Sequence, residues 1–245
     1  MITLGVHLVG DGRMGTALRH LIDERDPAAL GLHLVSSAEE AVVVVDYSHP
    51  DWTRPLIQRL LEHPRPVLVG TTGLTDAMRE DLTRLSLKVP VMIAPNTGIG
   101  VQILQRLVAE VVKMAGPGWD IEILELHHRK KIDAPSGTAW ALFDEVSGLM
   151  DRRDGVAWAR ERAVESRGAA SGARTDGEIG VQSLRGGDVV GEHTVYLVGH
   201  GERLELTHRA WDRSTFARGG LRIARWLGAP GRTAGMYRPG DALLG

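Results

Sequence analysis

Residues 9–15 read Val9-Gly10-Asp11-Gly12-Arg13-Met14-Gly15, which matches the pattern G-x-G-x-x-G. An apolar run, Thr3–Val9, precedes this glycine loop, and Met14–Glu24 follows it with the apolar spacing of a helix. In a strand–loop–helix unit of this kind, glycines permit a tight turn and let a pyrophosphate approach the backbone, while the helix start offers free N–H groups. The loop therefore predicts a dinucleotide site, and a purely packing role for the glycines is the alternative.

The first 98 residues continue to alternate strand and helix patterns. The predicted strands are Leu32–Val35, Ala41–Asp46, Pro66–Val69 and Val89–Ala94, and the predicted helices are Asp51–Glu62 and Thr75–Leu87. Ala41–Asp46 is apolar on both faces, which is typical of a buried parallel strand. Strands separated by helices favour a parallel sheet with right-handed crossovers. This part of the chain is therefore predicted to be a Rossmann-like α/β domain.

Two further loops of small residues follow predicted strands. They are Gly70-Thr71-Thr72-Gly73 and Ala94-Pro95-Asn96-Thr97-Gly98. In a doubly wound sheet the carboxyl ends of the strands line the ligand crevice. Three such loops at strand ends predict one groove for a flat ligand, and ordinary turn chemistry is the alternative.

The pattern changes after residue 98. Helices are predicted over Val101–Met114, from a cap at Ser136 to Met150, and over Thr215–Leu227; strands are predicted over Asp120–Leu126, Glu178–Leu184, Val189–Val198 and Arg203–Ala210. Strands in close succession indicate a mixed or antiparallel sheet packed on helices, and hence a smaller α+β domain. The stretch Asp151–Arg174 has little periodicity and is predicted to be a surface loop.

Composition excludes several function classes. The formal net charge of −2 leaves no basic excess for binding nucleic acid or an anionic membrane. The absence of cysteine excludes disulfides and thiolate metal sites, and no metal site is predicted. The N-terminus lacks a signal-peptide pattern, and no apolar run approaches the ~18 residues of a membrane span. We therefore expect a cytoplasmic protein.

Residues 125–139 carry the densest chemistry. They read Glu125-Leu126-His127-His128-Arg129-Lys130-Lys131-Ile132-Asp133-Ala134-Pro135-Ser136-Gly137-Thr138-Ala139. A cationic patch precedes hydroxyls and N–H groups at a helix start, which predicts a site for an anion such as a carboxylate; a solvated basic turn is the alternative. Only four of the 29 basic residues are lysines. Lys131 is therefore notable, because lysine can lose its proton and arginine in practice cannot.

This stretch, E-x-H-H-x-x-K-x-D-A-P-S-G-T-A, closely resembles the signature of 4-hydroxy-tetrahydrodipicolinate reductases. The resemblance extends to the three loops already described and to two later blocks. These blocks are Arg185-Gly186-Gly187-Asp188-Val189-Val190-Gly191-Glu192-His193-Thr194 and Arg213-Ser214-Thr215-Phe216-Ala217. The blocks occur in the family's order and span nearly the whole chain.

The resemblance implies reduction of 4-hydroxy-tetrahydrodipicolinate with NADH or NADPH, in lysine and diaminopimelate biosynthesis. The substrate would be a small cyclic imine dicarboxylate. The implied architecture is a dinucleotide-binding domain over residues 1–98 and 213–245 and a substrate-binding domain over residues 99–212. The second domain would also build a homotetramer.

Residue roles are implied by motif position. His127 resembles a proton donor or acceptor and Lys131 a proton donor. The implied substrate-binding residues are His128, Gly137 and Thr138, with Ser136 at the same helix start. The implied cofactor contacts are Gly10, Asp11, Gly12, Arg13, Met14, Gly70, Thr71, Thr72, Ala94, Pro95, Asn96 and Thr97, and Arg213 matches a family position near the site.

The cofactor half departs from the family pattern. Its glycine loop is one residue shorter, and the long segment between the second and third strands is largely missing. Ser36 and Ser37 stand where acidic and basic ribose contacts would be, Thr97 replaces an aromatic residue, and His49 replaces a basic residue. The sequence therefore does not choose between NADH and NADPH.

Two rival functions remain open. One is a related imine or amino-acid dehydrogenase on the same scaffold, and the other is a dinucleotide sensor without catalysis. Retention of His127 and Lys131 argues against the sensor, because sensing needs no proton donor. Glu192 and His193 could be catalytic, but a supporting role in a strand is favoured.

Overall fold

The computed structural model describes residues 3–26, 29–150, 174 and 177–243. The chain divides into two compact units, Met1–Gln102 with Ser214–Gly245, and Ile103–Arg213. The surface loop predicted over Asp151–Arg174 lies outside the described residues, apart from Arg174. No helix in the described part of the chain is both long and apolar enough to cross a membrane.

The first unit is a six-stranded parallel sheet between two helical layers. Its strands are β1 (Leu4–Val9), β2 (Leu32–Leu34), β3 (Val43–Asp46), β4 (Val67–Val69), β5 (Pro90–Ile93) and β10 (Gly235–Tyr237), and its helices are α1 (Arg13–Asp23), α2 (Pro50–Glu62), α3 (Asp76–Ser86) and α6 (Ser214–Leu227). The strand order is β10-β5-β4-β3-β1-β2, with every pair parallel. The predicted Rossmann-like domain is confirmed.

Successive side chains of each strand point to opposite faces of this sheet, so the hydrophobic core lies on both faces. Val43 and Val45 pack with α1 and α6, whereas Val44 packs with α2 and α3. All three valines are fully buried, which explains why β3 has no polar face. The third strand begins two residues later than predicted.

Strand β10 has no counterpart among the predicted elements. It is three residues long and pairs in parallel with β5, with Met236 opposite Val91. Its sequence, Gly-Met-Tyr, is too short to show an apolar period, so only the tertiary pairing reveals it.

A tight connection replaces the segment missing between β2 and β3. It leaves the sheet after Val35, whose N–H donates to the Val6 carbonyl, and rejoins it at Val42, whose N–H donates to the Gly5 carbonyl. A Cβ on Gly5 would lie 3.0 Å from the Val35 side chain and 3.4 Å from the Glu40 carbonyl oxygen. The connection therefore passes close over β1, and glycine at position 5 leaves room for it.

The second unit is a mixed four-stranded sheet packed on two helices. Its elements are α4 (Ile99–Ala115), which begins in the first unit, β6 (Asp120–His127), α5 (Gly137–Met150), β7 (Ile179–Arg185), β8 (Gly191–Val198) and β9 (Arg203–Ala210). The strand order is β7-β6-β8-β9, with β6 and β7 parallel and the other pairs antiparallel. The predicted mixed sheet is confirmed.

One face of this sheet forms the core with α4 and α5. Ile121, Ile123, Val195 and Leu197 are buried against the helices. Further along β6 the same face carries Glu125 and His127, both of which are also buried. The strand therefore places polar groups on its core-facing side at its carboxyl end.

Candidate active site

Four loops at the carboxyl ends of the parallel strands meet around Tyr47, directly after β3. Gly10 has φ +107°, and a Cβ there would lie 2.3 Å from the Tyr47 carbonyl oxygen. A Cβ on Gly70 would lie 2.1 Å from the Tyr47 ring. The Tyr47 hydroxyl lies 2.7 Å from Thr97 Oγ1, and burial raises its pKa. The structure thus brings the three predicted loops together, and glycine is required where two of them contact Tyr47.

Asp46, the last residue of β3, ties these loops together and was not predicted as a site residue. Its buried carboxylate accepts hydrogen bonds from the hydroxyls of Thr53 at 2.5 Å and Thr71 at 3.0 Å. The hydroxyl of Ser48 also donates to it at 2.5 Å. Thr71 thereby anchors the Gly70–Gly73 loop to β3, while Ser48 and Thr53 anchor the loop after β3 and the helix α2. These donors come from parts of the sequence that show no common pattern.

The start of α1 fits the pyrophosphate of a dinucleotide. Gly12 is its N-cap residue and provides no side-chain cap for the first-turn N–H groups. A Cβ on Gly12 would meet nothing within 4 Å, whereas a Cβ on Gly15 would lie 2.0 Å from the Gly10 carbonyl oxygen. The second glycine of the motif therefore leaves open space, and the third allows close packing of the helix on the loop.

The remaining predicted cofactor residues occupy three different settings. Asp11, Arg13, Thr72 and Pro95 are exposed, Met14 and Asn96 are half-buried, and Thr71, Ala94 and Thr97 are buried. The Asn96 side chain accepts a hydrogen bond from the Gly98 N–H at 2.9 Å, which shapes its loop. Arg213 is exposed and is the last residue of the second unit.

A carboxylate stands beside the end of β2. Glu40 accepts hydrogen bonds from the Ser36 hydroxyl at 2.9 Å and the Ser36 N–H at 3.3 Å. Its neighbour Glu39 turns instead towards Arg59. In dinucleotide-binding folds an acidic side chain in this region binds the ribose hydroxyls. Sequence reasoning missed Glu40, because it reaches Ser36 only through the tight turn after β2.

In the second unit, a buried carboxylate organises the predicted catalytic stretch. Glu125 has no exposed surface and contacts Nδ1 of His127. Arg185, at the end of β7, donates from its two terminal nitrogens to the two Glu125 oxygens at 2.9 and 2.8 Å. The Ser136 N–H also donates to Glu125, at 3.2 Å. Sequence reasoning included Glu125 in the motif but gave no role to it or to Arg185.

The Glu125 carboxylate is ionised despite its burial. Burial raises its pKa, but hydrogen bonds from His127 and Arg185 outweigh that effect and lower the pKa to about 2. An ionised carboxylate can only accept hydrogen bonds. The hydrogen between the two side chains is therefore assigned to Nδ1 of His127.

His193 lies beside this pair. It is opposite Glu125 in the β6–β8 register, and its ring meets that of His127 edge-on at a centroid distance of 5.2 Å. Its Nε2 lies 3.1 Å from Ser136 Oγ. Burial, followed by the nearby charge of His127, lowers the pKa of His193 to about 3. Glu192 points to the other face and pairs with Arg209.

Lys131 joins the same network through Asp133. Its ammonium lies 2.8 Å from both Asp133 oxygens, and Arg185 donates to the Asp133 carbonyl at 2.7 Å. Burial raises the pKa of Asp133, but the hydrogen bond and positive charge of Lys131, with smaller contributions from a backbone hydrogen bond and the charge of Arg185, together lower it below its ordinary value. A continuous set of contacts therefore runs from His127 through Glu125, Arg185 and Asp133 to Lys131.

Three of the predicted substrate-binding residues, Ser136, Gly137 and Thr138, lie at the start of α5. Ser136 is buried and caps the helix, since its hydroxyl accepts from the Ala139 N–H at 3.2 Å. Gly137 is exposed and a Cβ there would meet nothing within 4 Å, while His128 and Thr138 are half-buried. An open helix start of this kind suits a carboxylate.

Comparisons with known proteins agree with this chemistry. The family described as "Dihydrodipicolinate reductase, C-terminus" matches residues 100–243, and "Dihydrodipicolinate reductase, N-terminus" matches residues 32–97. A protein of Akkermansia muciniphila named 4-hydroxy-tetrahydrodipicolinate reductase is 40% identical over 240 residues, covering 95% of this chain and 94% of that protein. A protein of the same name from Myxococcus xanthus is 43% identical over 207 residues, covering 84% and 73%.

Solved structures share the fold. A dipicolinate-bound dihydrodipicolinate reductase from Paenisporosarcina sp. TG-14 superposes with a TM-score of 0.72 at 20% identity, covering 97% of this chain and 98% of that one. A myo-inositol dehydrogenase from Corynebacterium glutamicum superposes with a TM-score of 0.53 at 14% identity, covering 92% and 87%. The profile matches and the identity to full-length relatives together show that this chain belongs to the dihydrodipicolinate reductase family.

Proposed function

We propose that this protein reduces 4-hydroxy-tetrahydrodipicolinate to tetrahydrodipicolinate with a reduced nicotinamide dinucleotide, in lysine and diaminopimelate biosynthesis. The observation that carries the proposal is the buried Glu125–His127 pair next to the open start of α5. A carboxylate-binding helix start beside proton-carrying side chains suits a cyclic imine dicarboxylate. The rival dehydrogenase and sensor functions have no observation that favours them.

In this proposal the second unit binds the substrate and supplies protons. The N–H groups at Gly137 and Thr138, with the Ser136 hydroxyl, hold one carboxylate, and His128 and Lys131 neutralise the dicarboxylate. The hydroxyl group of the substrate leaves as water to give a conjugated imine, and the reduced nicotinamide, when bound, would supply hydride to a ring carbon. Lys131 gives a proton as negative charge develops on the imine nitrogen system, and a positioned acid of this kind contributes about 10²–10⁴-fold. His127, with its hydrogen held on Nδ1 by Glu125, presents Nε2 as a proton acceptor.

The first unit holds the dinucleotide in this proposal. The Gly10–Met14 loop at the start of α1 receives the pyrophosphate, because its N–H groups have no side-chain cap. The Gly70–Thr72 and Ala94–Thr97 loops, which contact Tyr47, line the same edge of the sheet. Arg213 is assigned to cofactor binding by its family position alone.

We further propose that NADH is preferred to NADPH. The Glu40 carboxylate beside Ser36 would accept hydrogen bonds from ribose hydroxyls and repel a 2′-phosphate. Removing one unscreened charge near a phosphate is worth roughly 1 kcal/mol, or about fivefold in Kd. Glu40→Gln should therefore tighten NADPH binding about fivefold, measured by nucleotide fluorescence. Glu39→Gln is the matched control, and equal gains in both variants would remove Glu40 from this role.

A homotetramer built through the second unit is also proposed. The sheet face away from α4 and α5 carries Leu184, which is half exposed and lies opposite Leu126 in the β6–β7 register. Apolar surface of this kind is typical of an interface. Light scattering should give a tetramer for the native chain and a smaller species for Leu184→Arg; a native monomer would reject the proposal. The cytoplasmic location stays a prediction.

The activity itself is tested by following absorbance at the nicotinamide band. The substrate is generated from pyruvate and aspartate semialdehyde by a synthase, and NADH and NADPH are compared. Steady oxidation that requires the synthase supports the proposed function. A flat trace with both cofactors, while either one still binds, would support the sensor instead.

A further inference from the structure

Glu125 is built into the second unit as a fixed, charged acceptor. It lies fully buried on β6, two residues before His127, so both side chains project to the same face of the strand. Arg185 holds both carboxylate oxygens in a bidentate pair. Such a pair restricts the carboxylate in position and plane as well as in charge.

The imidazole of His127 is confined on several sides. Its Nδ1 contacts Glu125, and the His193 ring lies edge-on at 5.2 Å. A Cβ on Gly191 would lie 2.9 Å from Nε2 of His127. Glycine at position 191 is therefore required to make room for the His127 ring itself, at the nitrogen that Glu125 does not use.

We infer that Glu125 is a positioning residue, which holds the His127 ring with Nδ1–H towards the carboxylate and Nε2 towards the substrate, and that Arg185 keeps Glu125 in place. The inference rests on the proposed function only for its effect on turnover. A neutral imidazole has two tautomers, and the hydrogen bond at one nitrogen decides which state the other nitrogen presents. Without Glu125, the ring would be free to turn or to place its hydrogen on Nε2.

The direct test is ¹⁵N NMR of the histidine rings in the intact 245-residue chain without substrate. Spectra of native protein and His127→Gln identify the His127 signals. The native signals should report hydrogen on Nδ1, and Glu125→Gln should move population to the Nε2–H tautomer. Glu110→Gln, which changes an exposed carboxylate paired with Lys113, should leave the signals unchanged. Native signals of the Nε2–H tautomer would overturn the inference, whether or not the protein proves to be a reductase.

Kinetics then test whether Glu125 acts through His127. Loss of an outer partner of a metal-bound histidine costs about 10–100-fold in affinity or activity. A loss of that order is expected for a histidine held in one tautomer, so Glu125→Gln should lower kcat by about 10–100-fold with the KM for NADH unchanged. In a His127→Gln background the same change should cost less than about threefold, because the two residues act as a unit. If the fold losses in kcat of the two single variants multiply in the double variant, Glu125 acts independently of His127.

Arg185→Gln provides a second route should Glu125→Gln fail to fold. It leaves the carboxylate in place but removes the bidentate clamp, so the tautomer signals should broaden or shift and kcat should fall by about 10-fold. Unchanged signals and unchanged kcat in a folded Arg185→Gln variant would contradict the assigned role of the arginine.

Discussion

Two buried carboxylates, one in each unit, stand at the carboxyl end of a central strand and have different partners. Asp46 accepts hydrogen bonds from the neutral hydroxyls of Ser48, Thr53 and Thr71. Glu125 is held by the cationic Arg185 and by His127. The neutral donors around Asp46 connect neighbouring loops through hydrogen bonds. The donors around Glu125 are charged or titratable, so Glu125 is connected to groups that can exchange protons. This difference fits the proposal that backbone and small side chains of the first unit bind the cofactor, while charged side chains of the second unit carry out the chemistry.

The largest expected effect in this comparison is on turnover in the second unit. Lys131→Ala removes a proposed proton donor, so kcat should fall by about 10²–10⁴-fold. The Kd for NADH should stay within about twofold, because Lys131 contacts Asp133 in the second unit. Stopped-flow kinetics and fluorescence titration measure the two quantities. Lys113→Ala, an exposed lysine on α4, is the control, and equal loss of turnover and affinity in Lys131→Ala would make the lysine structural.

The next effect is on the stability of the first unit. Asp46→Ala leaves buried hydroxyl donors without their acceptor, which should lower the free energy of unfolding by about 2–3 kcal/mol. It should also weaken NADH binding, since Thr71 loses its anchor. Urea denaturation measures the change, with the exposed Asp23→Ala as the control. A loss confined to kcat, with stability intact, would contradict the assigned role of Asp46.

A smaller effect concerns acid stability. The pKa of His193 is about 3 in the folded chain and 6.5 ordinarily, so between these values the unfolded residue takes up a proton that the folded one excludes. Stability therefore falls as pH falls through this window, by about 2 kcal/mol between pH 6.5 and 4.5. Urea midpoints should show a shallower pH dependence for His193→Gln. Parallel curves would mean that His193 takes up its proton equally readily in the folded and unfolded states.

The smallest expected effect is on the stability given by the hydrogen bond between Tyr47 and Thr97. Tyr47→Phe removes the hydrogen bond to Thr97, while Thr97 keeps its bond to the Phe216 carbonyl. The free energy of unfolding should drop by about 1 kcal/mol, measured by thermal denaturation. Tyr237→Phe, a half-buried tyrosine bonded to Thr233, is the control and should change stability less.

Most of the fold was predictable from local patterns, because the glycine loop and the spacing of apolar residues depend on the conformation of neighbouring residues. The partners of Glu125 were not predictable in the same way. Arg185 lies 60 residues later and reaches Glu125 only because β6 and β7 pair in parallel. Glu40 depends in turn on the path of a tight turn, and β10 on pairing with β5. Contacts formed by tertiary pairing leave no period or spacing in a single sequence.

The central claim is that this protein moves hydride from a nicotinamide to a cyclic imine. The most direct measurement uses NADH carrying two deuterium atoms at C4, substrate supplied by the synthase, and mass spectrometry of the product. We predict tetrahydrodipicolinate that carries a single deuterium, formed in equal amount to oxidised cofactor. Product without deuterium, or cofactor that binds and remains reduced, would contradict the account.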